Sequence, residues 1–280
     1  MPRVRVVAVR VRARAVVMLV GVACAGAPLP EGVVKLHVDD GGRGGVPVVF
    51  LHSLAGHSGQ FAGQLEHLRG TRRAVALDLR GHGRSPAPAD SDYSIPAMAR
   101  DVAAAVDGLA LERFVLVGHS MGGLVAVAYA GQHPERVAGL LLLDPSGNAR
   151  KVAPGVMSGF LAALESDYAA TIEGYWERIL AGSRPAAHDS VLADLRATPR
   201  ATVAGVFRGL LAFDPGDALR RYRGPMLSII TPLNEGATTL HALVPALPTR
   251  MVTGTGHWLQ MDKPAQINAA IDEFLGTVVR

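Results

Sequence analysis

Val115-Leu116-Val117-Gly118-His119-Ser120-Met121-Gly122-Gly123 runs from an apolar stretch through a glycine-framed serine into a helix-like segment, Leu124 to Gln132. The run is short and continuous, as in a strand covered on both faces. The turn after it has the spacing Gly-x-Ser-x-Gly. A sharp strand-to-helix turn lifts a serine hydroxyl above a sheet, and small residues at 118 and 122 let the crowded backbone pass. The helix that follows aims its amino-terminal dipole at charge developing near the serine. Ser120 is therefore a candidate nucleophile. The strand–turn–helix context carries more weight than the five residues alone.

The same kind of apolar run recurs on both sides of it, at Val46 to Leu51, Ala74 to Leu77, Leu140 to Leu143 and Met226 to Ile230, and Arg250-Met251-Val252 reads as the last strand. Helix-like stretches alternate with them, such as Ile95 to Leu109, and Pro134 stops the helix after the serine turn. Alternation of this kind predicts an α/β fold, a mostly parallel central sheet with helices on both faces and right-handed crossovers. Residues 146–223 break the rhythm. They lack a strand run and show helical spacing at Phe160, Leu161, Leu164, Tyr168, Ile172, Tyr175, Trp176 and Ile179. They read as a helical cap inserted over the carboxyl edge of the sheet, with most aromatics packing between helices and a few facing the cleft. No internal repeat is visible, and residues 31–280 read as one domain.

Composition narrows the function classes. With 49% hydrophobic and 19% charged residues, the 280-residue chain has the makings of a packed enzyme core rather than a disordered chain. The net charge of +4 is misleading, because residues 1–27 hold five arginines and no acid, which leaves −1 for the rest. A nearly neutral body with 5% aromatics gives no electrostatic footing for nucleic acid. Those first 27 residues, arginines followed by the apolar run Ala15 to Ala23 and small residues, read as a cleaved leader and predict export to the periplasm or medium. Without a true signal there the enzyme would be cytoplasmic. The apolar run is too short for a stable membrane span. Cys24 is the lone cysteine, so no intrachain disulfide can form; Val22-Ala23-Cys24 loosely resembles a lipoprotein cleavage box, which would add a lipid anchor. No cysteine–histidine ligand spacing points to a metal, no motif points to an organic cofactor, and nothing sets an oligomeric state.

Several motifs in order resemble the α/β-hydrolase superfamily, in particular its small serine esterase-like members with a helical cap. Besides the serine turn, these are Leu51-His52-Ser53-Leu54-Ala55-Gly56, Asp78-Leu79-Arg80-Gly81-His82-Gly83-Arg84-Ser85 and Gly254-Thr255-Gly256-His257-Trp258. The resemblance implies His257 as catalytic base, Leu54 and Met121 N–H as oxyanion donors, and loop-shaping roles for His52, His82 and His119. Ser53 stands where the family usually has glycine, which tightens that turn. The acid departs further: Asn234 occupies the position after Met226–Ile230 where the family most often has aspartate. Asp144, ending Leu140–Leu143, sits where some haloalkane dehalogenases of the superfamily carry their acid. Adjacent Glu235 and an incomplete triad are the other readings, with Asp144 preferred. The resemblance implies hydrolysis of a small-molecule carboxylic ester without cofactor or metal. Carbon–carbon bond hydrolysis, haloperoxidase-like chemistry and ligand binding without catalysis are the alternatives.

Overall fold

Continuous apolar runs become strands in the computed structural model, which describes residues 29–278. The leader reading and Cys24 lie outside the described residues. Seven strands, β1 (His37–Gly41), β2 (Val48–Leu51), β3 (Ala74–Asp78), β4 (Phe114–His119), β5 (Val137–Leu143), β6 (Met226–Ile230) and β7 (Thr249–Met251), form one sheet in the order β1-β3-β2-β4-β5-β6-β7. Among the described residues only β1 is antiparallel, paired to β3 at the edge; the other pairs are parallel.

Both faces are covered, which is why the runs do not alternate in polarity. Val49, Leu51, Leu116, Leu140 and Leu142 belong to one buried cluster, with α2 (Ile95–Gly108) and α3 (Met121–Gln132). Their neighbours Val48, Phe50, Val115, Val117, Leu141 and Leu143 belong to a second, with α1 (Ala62–Arg69), α10 (Leu259–Asp262) and α11 (Pro264–Val278). Successive side chains of a strand point to opposite faces, so an apolar residue at every position feeds two cores. Helix α3 is buried from Met121 to Gly131. Ser94 caps α2 by accepting from Ala97 N–H, and α3 stops before Pro134. Among the described helices none is long and apolar enough to cross a membrane.

Between β5 and β6 the chain makes α4 (Pro154–Ser166), α5 (Tyr168–Ile179), α6 (Pro185–Ala197), α7 (Arg200–Ala212) and α8 (Pro215–Arg221). Proline opens α4, α6 and α8, where its missing N–H is no loss. Side chains of α4, α5 and α7 roof the carboxyl edge of the sheet. Helix α8 instead packs on α3, with Ala218 against Gly131, so the insertion re-enters the sheet layer before β6 begins. After β6 comes α9 (Leu240–Leu243), which leads to β7.

Candidate active site

The loops leaving β2, β4, β5 and β6 meet at the carboxyl edge, where four neighbouring strands end. The strand order reverses between β2 and β4, the usual place for a ligand crevice in an open parallel sheet. Ser120 sits there between β4 and α3 with φ 52° and ψ −117°, a strained backbone for a residue with a Cβ. Two close approaches make the turn possible. A Cβ on Gly118 would collide with the Gly122 carbonyl, and one on Gly122 with the carbonyls of Leu51 and His52. The elbow is pinned by Ser120 N–H donating to Leu143 C=O at 3.1 Å.

His257 and Asp144 come together from opposite ends of the sequence. The His257 Nδ1–H donates to Asp144 Oδ2 at 2.5 Å. The carboxylate also accepts from Thr231 N–H at 2.7 Å and from Thr231 Oγ1–H at 2.9 Å. Burial pushes the Asp144 carboxyl up, but the His257 hydrogen bond and charge and both Thr231 donors outweigh it, so it is held below the usual carboxylate range. With Nδ1 carrying the proton, Nε2 of His257 is the free acceptor. Asn234 does not reach the histidine; its Nδ2 donates to Pro145 C=O at 2.7 Å and holds the loop after β5. Glu235 is exposed.

The histidine loop is clamped from three sides. His257 N–H donates to Ile179 C=O at the end of α5 (2.9 Å), and its carbonyl accepts from His119 Nε2–H at 2.9 Å. Asp262 accepts from Thr255 Oγ1–H at 2.8 Å and Gly256 N–H at 3.0 Å.

His52 shapes the turn after β2. Its Nδ1–H donates to Ser53 C=O at 2.7 Å, and its Nε2 accepts from Leu79 N–H at 2.8 Å. In a trans peptide the carbonyl and the next N–H point opposite ways, so a Ser53 carbonyl fixed on His52 turns Leu54 N–H away from that ring. Met121 N–H, the first of α3, has no acceptor within its own helix. Ser53, which stands where the family usually has glycine, takes no positive φ in this turn. The positive φ of 56° falls on Ala55, and the Ser53 hydroxyl faces buried Gln60 at 3.4 Å.

Burial first, and then neighbouring charge, lowers the pKa of His52; burial lowers His82 to about 4 and His119 to about 3. Between those values and the ordinary histidine value near 6.5 the unfolded chain binds protons that the folded chain does not. Stability is therefore fully present above about pH 6.5 and is lost progressively as pH falls below it. Thermal melts should show Tm falling steadily from about pH 6.5 to about 4.5; a flat Tm there would mean that these rings are charged in the fold.

Two chambers open on Ser120 and His257. The larger, about 230 Å³, is walled by Val152, Met157, Tyr175, Phe207, Leu210 and Leu233. The smaller, about 30 Å³, lies beside Ser53, Leu54 and Met121, under Trp176 and Trp258. No lysine or arginine lines either among the described residues. Tyr175, Trp176 and Ile179 were visible in the helical spacing of the insertion. Phe207, Leu210 and the hydroxyls of Thr231 and Ser146 were missed; only the position of Thr231 directly after an apolar run could have hinted at its role.

The model of the α/β-hydrolase fold family matches residues 46–264. The chain belongs to that family. Among similar proteins, an sn-1-specific diacylglycerol lipase of Mus musculus is 29% identical over 272 residues, covering 89% of this chain and 86% of that one. A thermophilic esterase of Thermogutta terrifontis superposes with TM-score 0.74 at 26% identity, covering 88% of this chain and 94% of that one. Est816, described as an N-acyl homoserine lactone degrading enzyme, superposes with TM-score 0.74 at 29% identity, covering 86% and 97%. The chain spans 33% to 65% of the length of the first curated relatives it matches. These hydrolase-fold relatives include esterases and lipases.

Proposed function

We propose that this chain is a serine hydrolase of small, uncharged carboxylic esters. The observation that carries the reading is the Asp144–His257 hydrogen bond of 2.5 Å, set beside a strained elbow serine in one chamber. Ser120 Oγ attacks the ester carbonyl while His257 Nε2 takes its proton; Leu54 and Met121 N–H hold the oxyanion. His257 then protonates the departing alcohol and draws a proton from the water that releases the acid. The apolar walls and the absence of a lysine or arginine from the described lining favour neutral substrates, and the larger chamber lies below the range of drug-sized pockets, about 300–1,000 Å³. No step of this mechanism calls for a metal or organic cofactor.

A substrate panel tests it. Short p-nitrophenyl esters should be hydrolysed with kcat/KM well above that for esters bearing a carboxylate on the acyl chain. Cleavage of a vinylogous diketone without ester turnover would move the reaction to carbon–carbon bonds, and turnover of nothing on the panel would leave a binding protein.

A further inference from the structure

The hydroxyl of Ser146 touches the elbow yet has no place in the triad. Its Oγ lies 3.3 Å from Ser120 Oγ, and its backbone N–H donates to Ser120 C=O at 3.1 Å. It lines both chambers. Its position is built, not incidental. Asp144, at φ 40°, throws the chain back across the elbow. Asn234 Nδ2 then holds Pro145 C=O, and Asn148 N–H donates to Thr238 C=O at 2.7 Å. Ser120 Oγ makes its hydrogen bond here to Ser146, with none to His257 among the described residues.

We propose that Ser146 is a catalytic residue whose O–H donates to Ser120 Oγ when that oxygen becomes the leaving group. The inference rests on the acyl-enzyme reading above. In deacylation, water oxygen forms a bond to the acyl carbon and gives a proton to His257 Nε2. The bond from that carbon to Ser120 Oγ then breaks, its electron pair stays on Oγ, and His257 returns the proton there. Negative charge builds on Oγ as the bond breaks, and the Ser146 hydroxyl, 3.3 Å away and free to turn its proton toward that atom, stabilises it. In acylation the same donor engages the lone pairs that must attack, so it gives no comparable help. The two half-reactions should therefore respond unequally.

Ser146→Ala keeps the backbone N–H and so preserves the tie between the β5 loop and the elbow. With p-nitrophenyl butyrate in stopped flow, we expect deacylation to slow about tenfold, the scale of one lost hydrogen bond, with acylation changed by less than about threefold. A burst of p-nitrophenol should appear, and intact-mass spectrometry should show the butyryl adduct. Ser146→Thr, which keeps a hydroxyl, should restore deacylation to within about threefold of wild type. Unchanged deacylation in Ser146→Ala, or Ser146→Thr as slow as Ser146→Ala, would overturn the proposal. A fluorophosphonate separates the two levels of the argument. If it labels Ser120 and deacylation ignores Ser146, only this inference falls; if Ser120 is not labelled, the acyl-enzyme reading falls with it.

Discussion

Ser120→Ala is expected to lower kcat on p-nitrophenyl esters by about 10⁶-fold, the scale on which a triad serine acts. What survives comes from the oxyanion donors and from binding alone. KM should move little, because among the described residues the hydroxyl's hydrogen bond goes to Ser146 and it adds little to substrate affinity. The fold should not suffer, since alanine keeps the Cβ and removes one atom from a chamber wall. The elbow adds a second readout. Ser120 holds φ 52°, a conformation whose strain is on the order of 1–3 kcal/mol for a residue with a Cβ. Ser120→Ala keeps that strain, whereas Ser120→Gly relieves it and should melt higher while being equally inactive. Ester turnover within tenfold of wild type in Ser120→Ala would remove Ser120 as the nucleophile.

How much of this was legible in the sequence follows from where each feature's cause lies. Strands β2 to β5 could be read because each is an apolar run buried on both faces, and β6 because its apolar run is buried from Ser228 onward; the exposed β7 showed only as Arg250-Met251-Val252 ahead of the histidine loop. Strand β1 could not: His-Val-Asp-Asp-Gly pairs with β3 through its backbone at a half-exposed edge and carries no apolar run. The elbow could be read because its strain is local and needs glycines at fixed spacing. The acid stayed open among Asp144, Glu235 and an incomplete triad, with Asp144 preferred, because what meets His257 depends on register. Leu143 pairs with Ile229, which brings Thr231 against the residue after β5 and gives a carboxylate there its donors. Asn234, at the position the family pattern favours, is held by Pro145 C=O instead. The approach of Ser146 to the elbow was invisible because it comes from one positive φ at Asp144. Helical spacing announced the insertion but could not say which faces of α5 and α7 look into the chamber.

Asp144→Asn should keep the fold and lower kcat by about 10⁴-fold, with KM within a few-fold of wild type. The reason is in the hydrogen bonds. Thr231 N–H donates to Asp144 Oδ1, so an asparagine there must keep its carbonyl oxygen on that side and turn its NH₂ toward His257. An NH₂ cannot accept from Nδ1–H. The imidazole must then accept at Nδ1 and carry its proton on Nε2, which faces the chamber as a donor and cannot take the proton of Ser120. The loss falls on kcat because the carboxylate also stabilises an imidazolium that exists only during reaction. Glu235→Gln, at an exposed position, should change kcat by less than about twofold. Asn234→Asp should not rescue Asp144→Asn, since a carboxylate at 234 would lose its donor to Pro145 C=O and face that oxygen with like charge. Steady-state kinetics on the three variants and the double variant decide the matter. A crippled Glu235→Gln beside a mild Asp144→Asn, or a double variant restored toward wild type, would place the acid after β6 rather than β5.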